Sequence, residues 1–539
     1  MKWQTKQQLT QLLCNLVEHA SISNSEAEVT LSQYVAEQLR TLDYFQGNPE
    51  FVQLHPTGDG RYFVTALVKK DERVRDTIVL VSHFDVVDVQ DYGAWKELAF
   101  SPQVLTQRFY ENKEQLPPDV QVDLESGEWL FGRGVMDMKC GLALHMSLIE
   151  QACHGAFEGN LLLLTVPDEE VNSVGMRAAV PALVEMAKKY DLSYKLVLNS
   201  EPMFTRYPGD QTNYIYTGSI GKVLPGFYCY GKETHVGEPL AGLNANFMVA
   251  QVVNELELNT DFCEVFGREV SPPPTGLFQT DLKEDYSVQI PHRAVTLFNL
   301  FLQKKSMDEV TEELLELAKR AGKRIEERYR EQAVRFAQME QSTPKSLSVN
   351  VWTFAELRQK AVEMFGSETV EQLESRVFGD AVKKDERERT IELVDKLAIL
   401  CKDFAPMIVL FYAPPYYPAV NSSDDSLVCH LVATLQQYAK EKHDIELVQQ
   451  HYFGGISDLS YVGLHQPLSA LWALTANMPM WNRGYELPID ALAEFQVPVF
   501  NVGPVGRDAH QWTERLNVPF AFETVKQWLV YVIEQVFSK

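Results

Sequence analysis

The stretch GRGVMDMKCG, residues 132–141, has the period of neither a helix nor a strand. Two glycines bracket an arginine, an aspartate, two methionines and a lysine follow, and a long apolar pattern of helical period begins at about residue 140. The glycines leave the backbone free to turn, so the stretch presents Asp137 on a loop at the mouth of a helix. Outward from it, short apolar runs alternate with helical stretches: DTIVLVSHFD (76–85), the helix from about 140, NLLLLTVPDEE (160–170), a helix over 175–188, and YKLVLNSEP (194–202). That alternation predicts an α/β architecture around a largely buried sheet. Residues 26–42 read as a further helix, with Ser25 and Glu28 spaced as a capping box.

The rhythm changes near Gly218. GKVLPGFYCYGKETHVGEP reads as an exposed strand and turn, NANFMVAQVVNELEL as a helix and VTLFNLFLQ as a strand. Ser306 and Glu309 open a very long charged helix to about residue 339, and Thr353 with Glu356 repeats the capping pattern. The predicted organisation is a first domain part over 1–217, an α+β domain over 218–415 with a helical insertion at about 340–403, and a return to the first domain over 416–539. The strand MIVLFYAPPYYPAV (407–420) leads into a proline-rich connection, and the charged run 383–396 reads as a solvated helix face.

A chain of 539 residues exceeds one core. Its net charge of −25 argues against nucleic acid and anionic membranes as partners. No run of eighteen apolar residues predicts a membrane span, and the N-terminal stretch lacks the apolar core and cleavage site of a signal peptide. Seven cysteines without a CxxC pair suggest reduced thiols and a cytoplasmic location.

Several apolar runs end in ligand-type residues: His83 and Asp85 after TIVLV; Asp168, Glu169 and Glu170 after LLLLTV; Glu201 after KLVLN; His510 and Glu514 after VPVFNV. Ligands of open α/β sheets bind beyond the carboxyl ends of strands. Several carboxylates on one rim repel one another unless a cation offsets them. Imidazoles with carboxylates are donors for zinc, or for cobalt or manganese. Five such donors over-supply one ion, whereas two ions sharing a bridging carboxylate fit, which gives Asp137 and its loop a purpose.

SHFDVV (82–87), GRGVMDMKCG (132–141), PDEEVNSVG (167–175), SEP (200–202), GKETHVGEPLAGLNAN (231–246), GGISD (454–458) and GPVGRDAHQWTE (503–514) stand in the order seen in the M20 metallopeptidases, which this chain resembles over most of its length. Total length and the long insertion most resemble the RocB-type arginine-utilisation branch. The resemblance implies a zinc-peptidase-like catalytic domain with a central, mostly parallel sheet, and an inserted α+β lid. It implies His83 and Glu201 on one divalent ion, Glu170 and His510 on the other, and Asp137 bridging, with a cis Asp137–Met138 bond. Asp85 would orient His83, Glu169 would be the general base, and His235 would stabilise the oxyanion. Asn244, Gly454, Gly455 and Ser457 would face the substrate, a small peptide or N-acyl amino acid. Phe301 stands where many relatives carry a carboxylate-binding arginine, and Arg293, nearby in sequence, is either a substrate contact from a different place or an exposed lid arginine. A homodimer through the lid is the assembly the family allows. A catalytically silent member acting through a partner is the competing reading, and the presence of Glu169 weighs against it.

Overall fold

The computed structural model describes residues 1–207, 209–379 and 385–538. The chain forms two compact units, one of Met1–Ile220, Pro418–His465 and Pro488–Lys539, the other of Gly221–Tyr417 and Gln466–Leu487.

The first unit is a mixed α/β layer structure on an eight-stranded sheet. Its strands lie in the order Val52–Pro56, Tyr62–Val68, Asn160–Val166, Asp76–His83, Ser193–Asn199, Val499–Asn501, Asn213–Tyr216 and Leu447–Gln450. The central strands run parallel. The strand Asn160–Val166 is buried at every position, which is why it reads as an unbroken apolar run rather than an alternating one. Ile78, Leu80, Leu161, Leu163, Leu196 and Leu198 fill one face against Leu9, Leu13, Leu142, Met146 and Trp528. Burial of each such side chain contributes about 1.5–3 kcal/mol. Because the central strands are parallel and in step, with His83 opposite Val166 and Val81 opposite Asn199, the residues that follow them emerge along one edge.

The second unit is built on a five-stranded sheet in the order Thr275–Asp281, Arg293–Leu302, Gly221–Tyr230, Met407–Tyr417 and Asn350–Thr353. Gly221–Tyr230 is buried almost throughout, so the exposed strand expected from its polar neighbours is instead central. Met407–Tyr417 is likewise buried throughout and runs through Pro414 and Pro415, whose bond is cis, ending just before Pro418. Helices Phe354–Phe365 and Glu386–Leu400 cover one face, with Leu357, Leu393 and Leu397 in one cluster with Val409 of the sheet. The helix Met307–Glu340 opens with the capping box of Ser306 and Glu309, and Thr353 with Glu356 caps the next helix in the same way. Gln466–Leu487 is tied into this unit by Arg483, which with Arg358 pairs the buried Glu374.

The capping box expected at Ser25 is not formed. Ser25 precedes the helix Glu26–Arg40 but makes no side-chain cap bond. Glu28 turns inward instead, fully buried. Lys383 and Lys384, which begin the charged run 383–396, lie outside the described residues. The helix that follows buries Leu393, Val394 and Asp395, so the run is not a wholly solvated face.

Candidate metal centre

Along the carboxyl edge of the first unit's sheet, acids from three segments surround two imidazoles. His83, the last residue of its strand, places Nε2 3.3 Å from Asp137 Oδ1, 3.6 Å from Glu201 Oε1 and 3.9 Å from Glu169 Oε2. His510 places Nε2 3.3 Å from Asp137 Oδ2 and 3.1 Å from Glu170 Oε1. The two oxygens of Asp137 therefore face different imidazoles. His83, Asp137 and Glu201 form one potential ligand group, Asp137, Glu170 and His510 a second, and His83, Glu169 and Glu170 a third. His83, Asp137, Glu169 and Glu201 are buried, while His510 is half exposed.

The charges are in tension. Burial pushes the Glu169 and Glu201 carboxyls well above the usual range; His83 opposes this, but the neighbouring acids add to it. Burial would lower the His83 imidazole, yet Glu201, Asp137 and Asp85 outweigh it and raise the group well above its ordinary value. His510 is pushed up to about 11 against its own burial, by hydrogen bonds with Asp137 and Glu170. Repulsion among so many acids is relieved by protonation or by nearby positive charge. The His83 Nδ1 faces the Asp85 main-chain carbonyl at 3.1 Å, so it is the donor there and Nε2 is left turned toward the acids. Oxygen and imidazole donors converging on one buried place fit divalent cations.

The loop that carries Asp137 is held from the C-terminal motif. Glu514 Oε1 accepts the N–H of Gly134 at 2.7 Å and that of Met136 at 3.4 Å, and its Oε2 accepts from Arg133 Nη1 at 2.7 Å. Gly134 has φ 81°, and a Cβ there would meet Val86 at 2.8 Å, so both backbone conformation and space require glycine. The Asp137–Met138 bond is cis, as the resemblance implies. A Cβ at Gly503 would lie 1.8 Å from the Glu201 carbonyl oxygen.

Asp85 lies beside His83 Nδ1, its main-chain carbonyl at 3.1 Å and its carboxylate at 3.5 Å. The same carboxylate accepts the N–H groups of Glu169 at 3.0 Å and Glu170 at 3.2 Å, and the Ser23 hydroxyl at 2.7 Å. Asp168 and Glu514, which the sequence also delivers to this rim, join none of the ligand groups. Asp168 pairs with Arg61 and caps the helix Val174–Tyr190 through Val174 N–H. Asp458 was overlooked although it ends the GGISD motif: it is buried, and burial pushes its carboxyl up to about 7. Within that motif Gly454 and Gly455 are exposed, whereas Ser457 is buried and bonded to the Ser219 hydroxyl at 3.1 Å.

His235, Asn244 and Arg293 belong to the second unit. The exposed His235 accepts the Gly237 N–H on Nδ1 at 3.0 Å. Asn244 caps the helix Ala245–Leu256 by accepting from Asn246 N–H. Arg293 donates to both oxygens of Asp395, at 3.1 and 2.8 Å, and Tyr228 donates to the same carboxylate at 2.7 Å. Its charge is thus already matched within the unit. Phe301 is half buried and opposite Lys222 in the sheet.

Residues 79–480 match the model of peptidase family M20/M25/M40, and the chain belongs to that family. It is a metal-dependent hydrolase of amide or peptide bonds. The chain is 50% identical to the Bacillus subtilis (strain 168) protein YqjN, over 100% of this chain and 98% of that one. It is 29% identical to RocB of the same organism, over 97% of this chain and 94% of RocB. Among solved structures, a tripeptidase from Staphylococcus aureus shares the fold with a TM-score of 0.53 at 12% identity, covering 100% of both chains. The dipeptidase Dug1p from Saccharomyces cerevisiae does so with a TM-score of 0.54 at 12% identity, covering 99% and 96%. Among the described residues no helix is long and apolar enough to cross a membrane.

Proposed function

We propose that this chain hydrolyses the amide bond of a small peptide or N-acyl amino acid at a pair of divalent cations, zinc in the first instance with cobalt or manganese as substitutes. The observation that carries the reading is Asp137, whose two carboxylate oxygens face His83 and His510 separately. His83 and Glu201 would hold one cation, Glu170 and His510 the other, with Asp137 shared. Bound there, the cations would supply Lewis acidity to the scissile carbonyl and acidify the attacking water. Glu169, beside both ligand groups but left over once each cation has its donors, takes the proton from that water and passes it to the leaving nitrogen.

Asp85 serves as a positioning residue, and His235 donates to the developing oxyanion. Gly454, Gly455 and Ser457 lie beside the substrate, as does Asn244. Arg293 stands apart, because Asp395 already occupies it. The second unit acts as lid and as the contact of a homodimer, and free thiols at all seven cysteines suit a reducing cytoplasm. For the substrate class, the relatives offer support: a succinyl-diaminopimelate desuccinylase from Shewanella loihica is 29% identical over 35% of this chain. The RocB likeness favours an N-acyl amino acid of amino-acid or arginine catabolism over a dipeptide.

The test is a metal-free preparation reloaded with zinc, cobalt or manganese and assayed against panels of N-acyl amino acids and dipeptides. Hydrolysis should appear only on reloading and be strongest within one panel. Full cation loading with no cleavage in either panel would overturn the reading.

A further inference from the structure

Behind the acid cluster, three consecutive main-chain N–H groups are received by side-chain carboxylates. Asp168 N–H donates to Glu28 Oε1 at 3.0 Å, Glu169 N–H to Asp85 Oδ1 at 3.0 Å, and Glu170 N–H to Asp85 Oδ2 at 3.2 Å. Successive N–H groups of this kind make an anion-binding concavity, and the anions here are two fully buried side chains. Glu28 Oε2 accepts the Asn24 N–H at 2.7 Å and Arg61 Nη1 at 3.0 Å. The same Arg61 nitrogen donates to Asp168 Oδ1 at 2.8 Å. Asp168 itself has φ 70°, and its carbonyl accepts the N–H groups of Asn172 at 3.1 Å and Ser173 at 2.6 Å. Every polar group of Asp168 is therefore fixed, half of them by Glu28 and Arg61.

Glu28 comes from the helix Glu26–Arg40, and Arg61 from the turn before the strand Tyr62–Val68. Neither belongs to a ligand group. The orientation of their bonds is informative. A glutamate three residues into a helix ordinarily reaches back to its cap; Glu28 instead spends one oxygen on the residue directly before Glu169. Arg61 sits between Glu28 and Asp168, so it offsets the repulsion that would part them.

We propose that Glu28 and Arg61 are positioning residues for hydrolysis: they fix the turn Asp168–Glu170 and thereby aim the Glu169 carboxylate. The proposal rests on Glu169 being the proton acceptor. Glutamine cannot replace Glu28, because an amide accepts on one side only while Glu28 accepts on both. Methionine at Arg61 keeps the apolar stem but leaves two buried carboxylates facing one another. Lysine keeps the charge without the fork.

The test uses the full chain with Glu28→Gln, Arg61→Met and Arg61→Lys, and Lys6→Met as a surface-charge control. Hydrogen exchange of the peptide spanning residues 166–174 is followed by mass spectrometry in the metal-free protein. The kcat and KM are measured with saturating zinc, on whichever N-acyl amino acid or dipeptide the wild type cleaves fastest. Exchange at 168–170 should accelerate in Glu28→Gln and Arg61→Met. The kcat should fall about 10–100-fold at nearly constant KM, the usual scale for groups that hold a reacting residue. Arg61→Lys should recover part of the kcat, and the control should match wild type. Should Arg61→Met not fold, Arg61→Lys and Glu28→Gln carry the same test. Wild-type exchange in this peptide would overturn the cradle itself. Faster exchange with unchanged kcat, while Glu169→Gln assayed alongside loses turnover, would overturn the positioning role and leave the cradle; near-normal kcat in Glu169→Gln would overturn instead the reading of Glu169 as proton acceptor.

Discussion

The loop Gly132–Met138 and the turn Asp168–Glu170 bring acids to the same cluster, and both are held by one device. In each, a buried carboxylate accepts consecutive or near-consecutive main-chain N–H groups, and an arginine offsets its charge. For the loop the holder is Glu514, matched by Arg133 from within the loop. For the turn the holders are Glu28 and Asp85, matched by Arg61 from a separate hairpin. The difference lies in where the support originates. The loop's support lies four residues from the ligand-type His510 and inside the same motif; half of the turn's support lies in segments that carry no ligand-type motif. Support that shares a segment with a ligand is visible in sequence, whereas support contributed by a neighbouring element is visible only once the elements pack.

That contrast can be broken experimentally. If the turn exists to aim a proton acceptor, Glu169→Gln should retain its metal and lose on the order of 10²–10⁴-fold in kcat. Near-normal turnover at full metal content would move the base elsewhere. A group outside both segments offers the next comparison. His235→Ala should lower kcat by roughly 10²–10³-fold, the cost of one oxyanion donor, with metal content unchanged; loss of metal instead would make it a ligand. If the loop exists to hold a shared ligand, Glu514→Gln should act on metal before turnover. Its amide nitrogen would face Arg133, and zinc affinity, titrated against a competing chelator, should weaken about 10–100-fold. Unchanged affinity would separate Glu514 from the Asp137 loop. The smallest effect is expected at Ser25, paired with Glu28 in the expected capping box. Because Ser25 makes no cap bond, Ser25→Ala should change stability by no more than about 0.5 kcal/mol. Thr353→Ala, at a box that is formed, should cost roughly 1 kcal/mol in denaturant unfolding.

The sheet of the first unit was legible because buried parallel strands leave unbroken apolar runs, and the order of ligand-type residues after them gave the cluster. Hydrophobic pattern served less well in the second unit. Gly221–Tyr230 reads as exposed from its tyrosines and flanking polar residues, yet helices cover it on packing. Arg293 read as a substrate contact because nothing in sequence ties it to Asp395, about a hundred residues later, where Tyr228 also donates. The Asp85 carboxylate was assigned to His83 on strand periodicity. Carbonyl and carboxylate both face the imidazole, at 3.1 and 3.5 Å; what periodicity did not show is that the same carboxylate accepts the N–H groups of Glu169 and Glu170.

The central claim is that Asp137 is shared between two cations, and anomalous diffraction from zinc-loaded crystals tests it most directly. Two ions per chain about 3.5–4 Å apart, one on each Asp137 oxygen with His83 and His510 on opposite sides, is the result expected. A single ion at full loading, or two that do not share Asp137, would contradict it.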